Sequence, residues 1–282
     1  MQEKTGKLYV VATPIGNKDD ITLRALRVLG EVDFVAAEDT RHTGRFLAHH
    51  KIKRRLISYH EHNEAERTPD LLKKLMDGSS IAVVSNAGTP SVSDPGYRLV
   101  KAAIDSGIMV IPIPGVSAAI TALSAAGLPI DSFVFMGFPA RKKGKRLKQL
   151  SGLANQNKTI VFYESPRRIL NLIEEIIIIM GDRYGVLSRE MTKLHEEFLR
   201  GNLSEILSNM QQRPNVKGEC TLLVMGREED EDVDMKTVRS DIKKGFKVPG
   251  SRPSDIAKGI AKKYKLPKNK VYKETLKIKE SL

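Results

Sequence analysis

The sequence predicts an α/β protein in which two α/β domains are followed by a small basic helical segment at the C-terminal end. Three observations lead there. Short β-branched runs alternate with stretches of helical period through Ala126, the signature of a sheet wound with helices. The alternation restarts at Phe133, after Leu128-Pro129, which reads as a hinge. Composition then changes at Glu228-Glu-Asp-Glu-Asp232, an apolar-poor run that reads as an acidic linker. The boundaries drawn are residues 1–116, 117–227 and 228–282.

Taken in order, Lys7–Thr13 is the first strand and runs into Pro14-Ile-Gly16. Asp19, Asp20 and Thr22 offer caps for a helix with Ile21, Leu23, Leu26, Val28 and Leu29 on its apolar side. Val32–Ala37 is the second strand, ending in Glu38-Asp-Thr-Arg41, and Leu56–Tyr59 the third, ending in His60-Glu-His-Asn-Glu64. Ile81–Val84 and Ile108–Ile113 are the fourth and fifth, the last leading through Pro114-Gly-Val-Ser-Ala118 into an Ala-rich helix. Every strand ends in polar or Gly/Pro residues before a helix, which gathers the loops of a doubly wound sheet on one edge.

The longest such connection, Ser85–Gly96, contains two Gly, two Pro, three Ser and one Thr. Small residues let peptide groups approach a ligand, and Gly88 and Gly96 supply unusual dihedrals. This is read as a binding loop at the carboxyl end of a strand.

In the second half, Phe133–Phe138 is a strand, Arg141-Lys-Lys-Gly-Lys-Arg146 a basic loop before a basic helix, and Thr159–Tyr163 the next strand. A helix is expected over Pro166–Met180, then strands at Tyr184–Ser188 and Glu219–Met225. In the tail, Ser254 is expected to cap a helix carrying Ile256, Ile260 and Ala261, and Lys268–Leu276 to form another.

Lys and Arg number 47 against 34 Asp and Glu, a formal charge of +13. Residues 233–282 hold fifteen Lys and Arg against five Asp and Glu, so most of the excess lies there. Such a surplus favours a polyanionic partner. The single cysteine, Cys220, excludes an intrachain disulfide and a cysteine-built zinc cluster. Neither a GxGxxG fingerprint nor a GxxxxGK[ST] phosphate loop occurs. The apolar run Leu8–Ala12 is too short for a signal peptide, and no stretch reaches the roughly eighteen apolar residues of a membrane span. A cytoplasmic location is expected.

Several segments together carry a resemblance. They are Val11-Ala-Thr-Pro-Ile-Gly-Asn17, Ala37-Glu-Asp-Thr-Arg41, Ser58-Tyr-His-Glu-His-Asn63, the Ser85–Gly96 loop, Pro114-Gly-Val-Ser-Ala118, Phe162-Tyr-Glu-Ser-Pro-Arg167, Arg189-Glu-Met-Thr-Lys-Leu-His-Glu-Glu197 and Lys217-Gly-Glu219. In this order they resemble the bacterial small-subunit ribosomal RNA methyltransferase I family, of the tetrapyrrole methylase fold superfamily. The resemblance runs from about residue 7 to 226. It implies two α/β domains with a cleft for S-adenosylmethionine between them, 2′-O-methylation of a cytidine ribose in small-subunit rRNA, and a homodimer. Asn86 stands where the family usually has an aspartate, and Val116 where it often has a proline.

Carried onto this chain, the resemblance puts Pro14, Ala87, Gly88, Thr89, Val92, Ser117, Ala118, Tyr163, Glu164 and Gly218 around the cofactor. Ser117 and Ala118 open a helix, where free N–H groups suit a carboxylate or ring nitrogen. A ribose hydroxyl becomes a good nucleophile as its proton leaves, so a general base is sought. His60, Glu38, Asp39 and Glu190 are the candidates, His60 first because a neutral imidazole persists at physiological pH. Arg41, Arg141, Lys142, Lys143, Arg146, Arg167, Arg168 and Lys193, with the tail, offer phosphate contacts. No metal is expected, since His60-x-His62 lacks a third ligand in sequence. A tetrapyrrole or a translation factor is an alternative substrate on the same fold. A non-catalytic RNA-binding assembly protein is the alternative from another class.

Overall fold

The computed structural model describes residues 5–215, 218–227, 235–248, 251–264, 266 and 268–280. The acidic run at 228–232 and Lys217 lie outside these residues. Residues 1–226 form one compact unit and 227–282 another.

The first sheet holds β1 (Lys7–Val11), β2 (Phe34–Ala37), β3 (Arg55–Ser58), β4 (Ile81–Val84) and β5 (Met109–Ile113), all parallel, in the order β3-β2-β4-β1-β5. Its strands are apolar on both faces, as a sheet covered on both sides requires. Along β4, Ala82 and Val84 join one core with Ala25, Val28, Leu29 and Leu47, while Ile81 and Val83 join another with Leu71, Leu75, Leu99 and Ala103. Thus α1 (Leu23–Glu31) and α2 (Thr40–His49) cover one face, and α3 (Glu64–Met76) and α4 (Tyr97–Asp105) the other. The chain leaves β1 for the first face and β4 for the second. These two neighbouring strands therefore flank a topological switch point, and a crevice opens beyond their carboxyl ends.

The second sheet holds β6 (Phe133–Gly137), β7 (Thr159–Glu164), β8 (Tyr184–Arg189), β9 (Glu197–Asn202) and β10 (Cys220–Val224), in the order β6-β7-β10-β8-β9. Only β6 and β7 are parallel; the other three pairings are antiparallel. Ile160, Phe162, Leu222 and Val224 point to a core with α6 (Lys143–Leu153), α7 (Ile169–Met180) and α8 (Leu203–Gln211). The alternate residues Val161, Tyr163 and Leu223 face α5 (Ala118–Ala126), together with Ile15, Ala87 and Val116 from the first half. This shared apolar cluster joins the two halves.

Several elements depart from expectation. The helix expected from Pro166 starts at Ile169, because Ser165 first closes a turn through the N–H groups of Arg168 and Ile169. The basic stretch expected as a loop enters α6 at Lys143. Strand β9 and helix α8 fall where no element was expected. Asn202 and Glu205 close a reciprocal capping box at the start of α8.

The second unit contains α9 (Met235–Phe246), α10 (Pro253–Lys263) and α11 (Lys268–Glu280) around Val238, Ile242, Ala257, Ile260 and Val271. Arg252, not Ser254, is the N-cap of α10, and Pro253 takes the first helical position, where its fixed φ is no cost. Asp241 accepts bonds from Lys263 Nζ at 2.5 Å, Tyr264 at 2.7 Å and Lys244 at 3.1 Å, tying α9 to the end of α10.

Candidate active site

The loops leaving β1 and β4 meet across the crevice. Thr13 and Gly88 exchange backbone hydrogen bonds at 2.8 and 3.0 Å, and the Thr13 hydroxyl donates to the Ser85 carbonyl at 3.1 Å. Gly88 has φ +77°, and a Cβ built on it would stand 3.6 Å from Ile15 Cγ2 and 3.8 Å from the Val116 carbonyl oxygen. The glycine is thus required by its left-handed backbone, not by crowding from the protein. Two non-glycine residues of the same loop, Ser91 (φ 69°) and Ser93 (φ 66°), are also left-handed. Concentrated strain of this kind is held in place only by its surroundings. Here Gly96 and Gly137 make room for the Ser91 and Ser93 hydroxyls, which a Cβ would meet at 2.5 and 2.6 Å.

Between this loop, the start of α5 and the ends of β7 and β10 lies a cavity of about 280 Å³. Ala87, Gly88, Thr89, Val92, Ser117 and Ala118 line it from the first side, and Tyr163, Glu164, Cys220 and Thr221 from the second sheet. The Tyr163 hydroxyl accepts the Ala119 N–H at 2.9 Å, occupying one of the free donors at the start of α5. Burial raises the Tyr163 pKa and pushes the Cys220 thiol up to about 12, so both groups stay neutral.

Asp94 also lines this cavity. Burial, followed by the negative fields of Glu38 and Glu219, pushes its carboxyl up to about 7. Among the described residues no hydrogen-bond donor offsets that burial, so a cation is the ligand group that would stabilise the charged form. The motifs of the sequence point to no role for Asp94. It is the only carboxylate in Ser85–Gly96, which is the signal that was available.

A second cavity, of about 490 Å³, adjoins the first and shares Ile15, Ala87 and Glu219 with it. Its walls come from the loop after β1, one side of α2, Asn86, and Lys193 from the second half.

Comparison with known proteins decides the family. The family model described as Tetrapyrrole (Corrin/Porphyrin) Methylases matches residues 7–207. The chain is 46% identical over 276 residues to ribosomal RNA small subunit methyltransferase I of Streptococcus pyogenes serotype M1, covering 97% of this chain and 96% of that one. It is 45% identical to the protein of that name from Escherichia coli O157:H7, over 96% of this chain and 95% of the other. The chain belongs to the ribosomal RNA small subunit methyltransferase I family. Among solved structures, the methyltransferase CobJ superposes with a TM-score of 0.61 at 19% identity, covering 79% of this chain and 95% of that one. Uroporphyrin-III C-methyltransferase of Thermus thermophilus, complexed with S-adenyl homocysteine, gives 0.57 at 20% identity, covering 79% and 98%. At those identities the likeness is one of fold, that of the tetrapyrrole methylases.

In this member of the rRNA small subunit methyltransferase I family, eight of the ten residues expected around the cofactor line the first cavity. Pro14 does not; it lies in the second cavity. Gly218 lines neither. Its lack of a side chain lets Glu190 lie where a Cβ would be, its φ of +89° is left-handed, and its neighbour Glu219 reaches both cavities. Glu164 is buried and accepts bonds from the Ser165 N–H at 2.7 Å and Arg168 Nε at 2.8 Å.

The candidate bases are placed differently from one another. Asp39 is the N-cap of α2, accepting the N–H groups of Arg41 at 2.8 Å and His42 at 3.2 Å, bonds that hold its pKa below the usual range. Glu190 accepts Lys193 Nζ at 2.8 Å and the Glu219 N–H at 3.1 Å, and the lysine bond above all lowers its pKa. His60 lines neither cavity; its N–H donates to Asn63 Oδ1 at 2.8 Å, and its Nδ1 is buried with no partner. Glu38 lines neither cavity; it accepts the N–H of Asn86, a residue of the second cavity's wall, at 3.0 Å.

Of the cations expected to meet phosphate, Arg146 is withdrawn: it is buried and paired with Glu175 at 2.6 and 2.7 Å. Arg168 is turned inward to Glu164, and Lys193 bridges Glu190 and Glu219. Arg41, Arg141, Lys142, Lys143 and Arg167 are exposed. Among the described residues no three His, Cys, Asp or Glu side chains converge to hold a metal ion, and no helix is long and apolar enough to cross a membrane.

Proposed function

We propose that the protein transfers a methyl group from S-adenosylmethionine to the 2′-oxygen of a cytidine ribose in small-subunit ribosomal RNA. The observation that carries this is the first cavity: a pocket floored by backbone and small side chains, with a desolvated carboxyl, Asp94, in its wall. The residues fit the cofactor. Asp94 answers a cationic group, the first N–H groups of α5 answer a carboxylate or ring nitrogen, and Ala87, Gly88 and Val92 leave room for an apolar surface.

When bound, the cofactor supplies a methyl on a positively charged sulfur. The chain's own contribution is to hold methyl and oxygen in line, which supplies much of the rate. The thiol of Cys220 and the phenol of Tyr163, both held neutral, contribute no competing charge. The exposed cations Arg41, Arg141, Lys142, Lys143 and Arg167, together with the C-terminal helices, contribute phosphate contacts. The same reading makes the enzyme a cytoplasmic homodimer, for which light scattering is the direct measurement.

The test is incubation of the purified protein with methyl-labelled S-adenosylmethionine and either small-subunit particles or naked rRNA, followed by nucleoside analysis. A labelled 2′-O-methylcytidine is expected. Label in another nucleoside, or in none, overturns the reading.

A further inference from the structure

The second cavity holds only two of the ten residues expected around the cofactor, Pro14 and the shared Ala87, against eight in the first, and it shares a wall with the first. Ile15, Ala87 and Glu219 face both, so a molecule in one lies against a molecule in the other. Its wall carries the cations Lys18, Arg45 and Lys193, the imidazole of His42, and one carboxylate, Glu219. Lys193 is already neutralised by Glu190 and Glu219. Among the described residues, Lys18 and Arg45 make no ion pair. Both are exposed at the rim. Two unneutralised cations at the mouth of a cavity suit a phosphate group.

The interior carries a different signal. The half-buried ring of Phe46, which also meets the His50 ring in a T-shaped contact at 4.8 Å between centroids and packs on the first-sheet core, forms part of the wall, an apolar surface against which a base can pack. Asn86 is held by its backbone, whose N–H donates to Glu38 at 3.0 Å. Its side-chain Oδ1 is buried without a hydrogen-bond partner. A buried acceptor left open calls for a donor from a ligand. Cytosine presents one at its exocyclic amine, where uracil presents a carbonyl.

We propose that the second cavity is the acceptor-nucleotide site. It takes a single cytidine turned out of the RNA, with its phosphate on Arg45 and Lys18, its base against Phe46 with the amine on Asn86 Oδ1, and its ribose toward the wall shared with the first cavity. A nucleotide turned out of the stack exposes both the base edge that is read and the ribose that is methylated. This rests on the methyltransferase reading above and adds the residues that select and position the substrate.

The test uses the full chain with small-subunit particles, with cytidine or uridine at the target position, and measures S-adenosylmethionine affinity separately by calorimetry. Arg45→Gln is expected to raise the KM for particles about tenfold, with Arg45→Lys restoring part of it. Asn86→Leu is expected to reduce the preference for cytidine over uridine about tenfold, while Asn86→Asp, which keeps the acceptor, retains it. In all four variants the cofactor affinity should stay within about twofold of the parent. An unchanged particle KM and base preference in a parent enzyme that methylates normally would overturn the site and leave the methyltransferase reading standing. Loss of cofactor affinity in Arg45→Gln or Asn86→Leu would also overturn it, by assigning the cavity to the cofactor. Failure of the parent to methylate any particle would overturn the underlying reading and the site with it.

Discussion

The backbone N–H of Asn17 donates to the Thr192 hydroxyl at 3.0 Å, joining loops 175 positions apart in the chain. The bond closes the crevice side of the two halves, because Gly16 beside it leaves no room for a side chain: a Cβ there would meet Lys193 Cγ at 2.6 Å and Thr192 Oγ1 at 2.7 Å. Thr192 itself is left-handed at φ 68°, which is costly for a β-branched residue. Thr192→Val is expected to lose about 1 kcal/mol of unfolding free energy in urea. Gly16→Val is expected to weaken cofactor binding as well, since the loop after β1 also carries Ile15 into both cavities. Equal melting and binding in both variants would refute the clasp.

With the cofactor in the first cavity as proposed, Asp94 is expected to make its binding depend on pH. Its carboxyl stands near 7 against an ordinary 3.8, so at pH 6 it is largely protonated in the free protein. A cation placed beside it favours ionisation and expels the proton. Affinity should therefore rise as pH increases from about 6 to 8 and flatten beyond. Calorimetry at pH 6.5 in two buffers of different ionisation enthalpy should register a proton released on binding. In the free protein the sign is opposite. The raised pKa means the folded state holds the proton more tightly than the unfolded, so Asp94 favours folding at low pH and loses that contribution as pH climbs from 3.8 towards 7. Asp94→Asn should bind cofactor more weakly with no pH dependence from this group, and should unfold less readily than the parent above pH 7.

Gly88 limits the cofactor loop through its backbone. Gly88→Val places a β-branched side chain at φ +77° and fills the cavity side of the loop. Cofactor affinity should fall by more than about tenfold, or 1.4 kcal/mol, while the melting transition stays cooperative. An unchanged affinity would show that the loop does not approach the cofactor.

Arg146 belongs to the fold and not to the RNA surface. Its ion pair with Glu175 is shielded, with both side chains only 10% exposed. Removing one partner of such a pair strands the other, so Glu175→Gln or Arg146→Ala should cost about 3 kcal/mol in unfolding free energy. The salt dependence of RNA affinity should be the same as the parent's, which separates a structural cation from a phosphate ligand.

The C-terminal helices are expected to act through charge. Deleting residues 233–282 removes a surplus of ten positive charges. RNA affinity should fall, and its log–log dependence on salt should flatten by about one unit for each phosphate no longer neutralised. Cofactor affinity should persist, because every residue lining the first cavity lies between Ile15 and Thr221. An equal salt slope in both proteins would move the RNA-binding surface to Arg141, Lys142 and Lys143.

What could be read before the fold was known follows physical lines. The central strands of the first sheet announce themselves because both faces are buried and they read as short apolar runs, such as Ile81-Ala-Val-Val84 and Phe34-Val-Ala-Ala37. Strand β9 does not, because Glu197-Phe-Leu-Arg-Gly-Asn202 is an edge strand with polar residues and looks like a loop. The cofactor loop is legible from its small residues. Asp94 is not, since burial and the neighbouring fields of Glu38 and Glu219 arise only on folding. Arg146 shows the reverse error: a run of cations hides the one that a helix turns inward to Glu175. Lys18 and Arg45 stand on separate elements, and only the winding of α2 over the first sheet brings both to one cavity.

Strand β10 is the last strand to leave the ribosome, yet it occupies the centre of the second sheet, between β7 and β8. A nascent chain halted before Glu219 has two open strand edges where β10 belongs, each a template for pairing with another chain. It also lacks Glu219, Cys220 and Thr221, three residues of the cofactor cavity wall. On the proposed reading of this cavity, stabilisation by the cofactor is expected only once residue 224 has emerged and β10 has paired with β7 and β8.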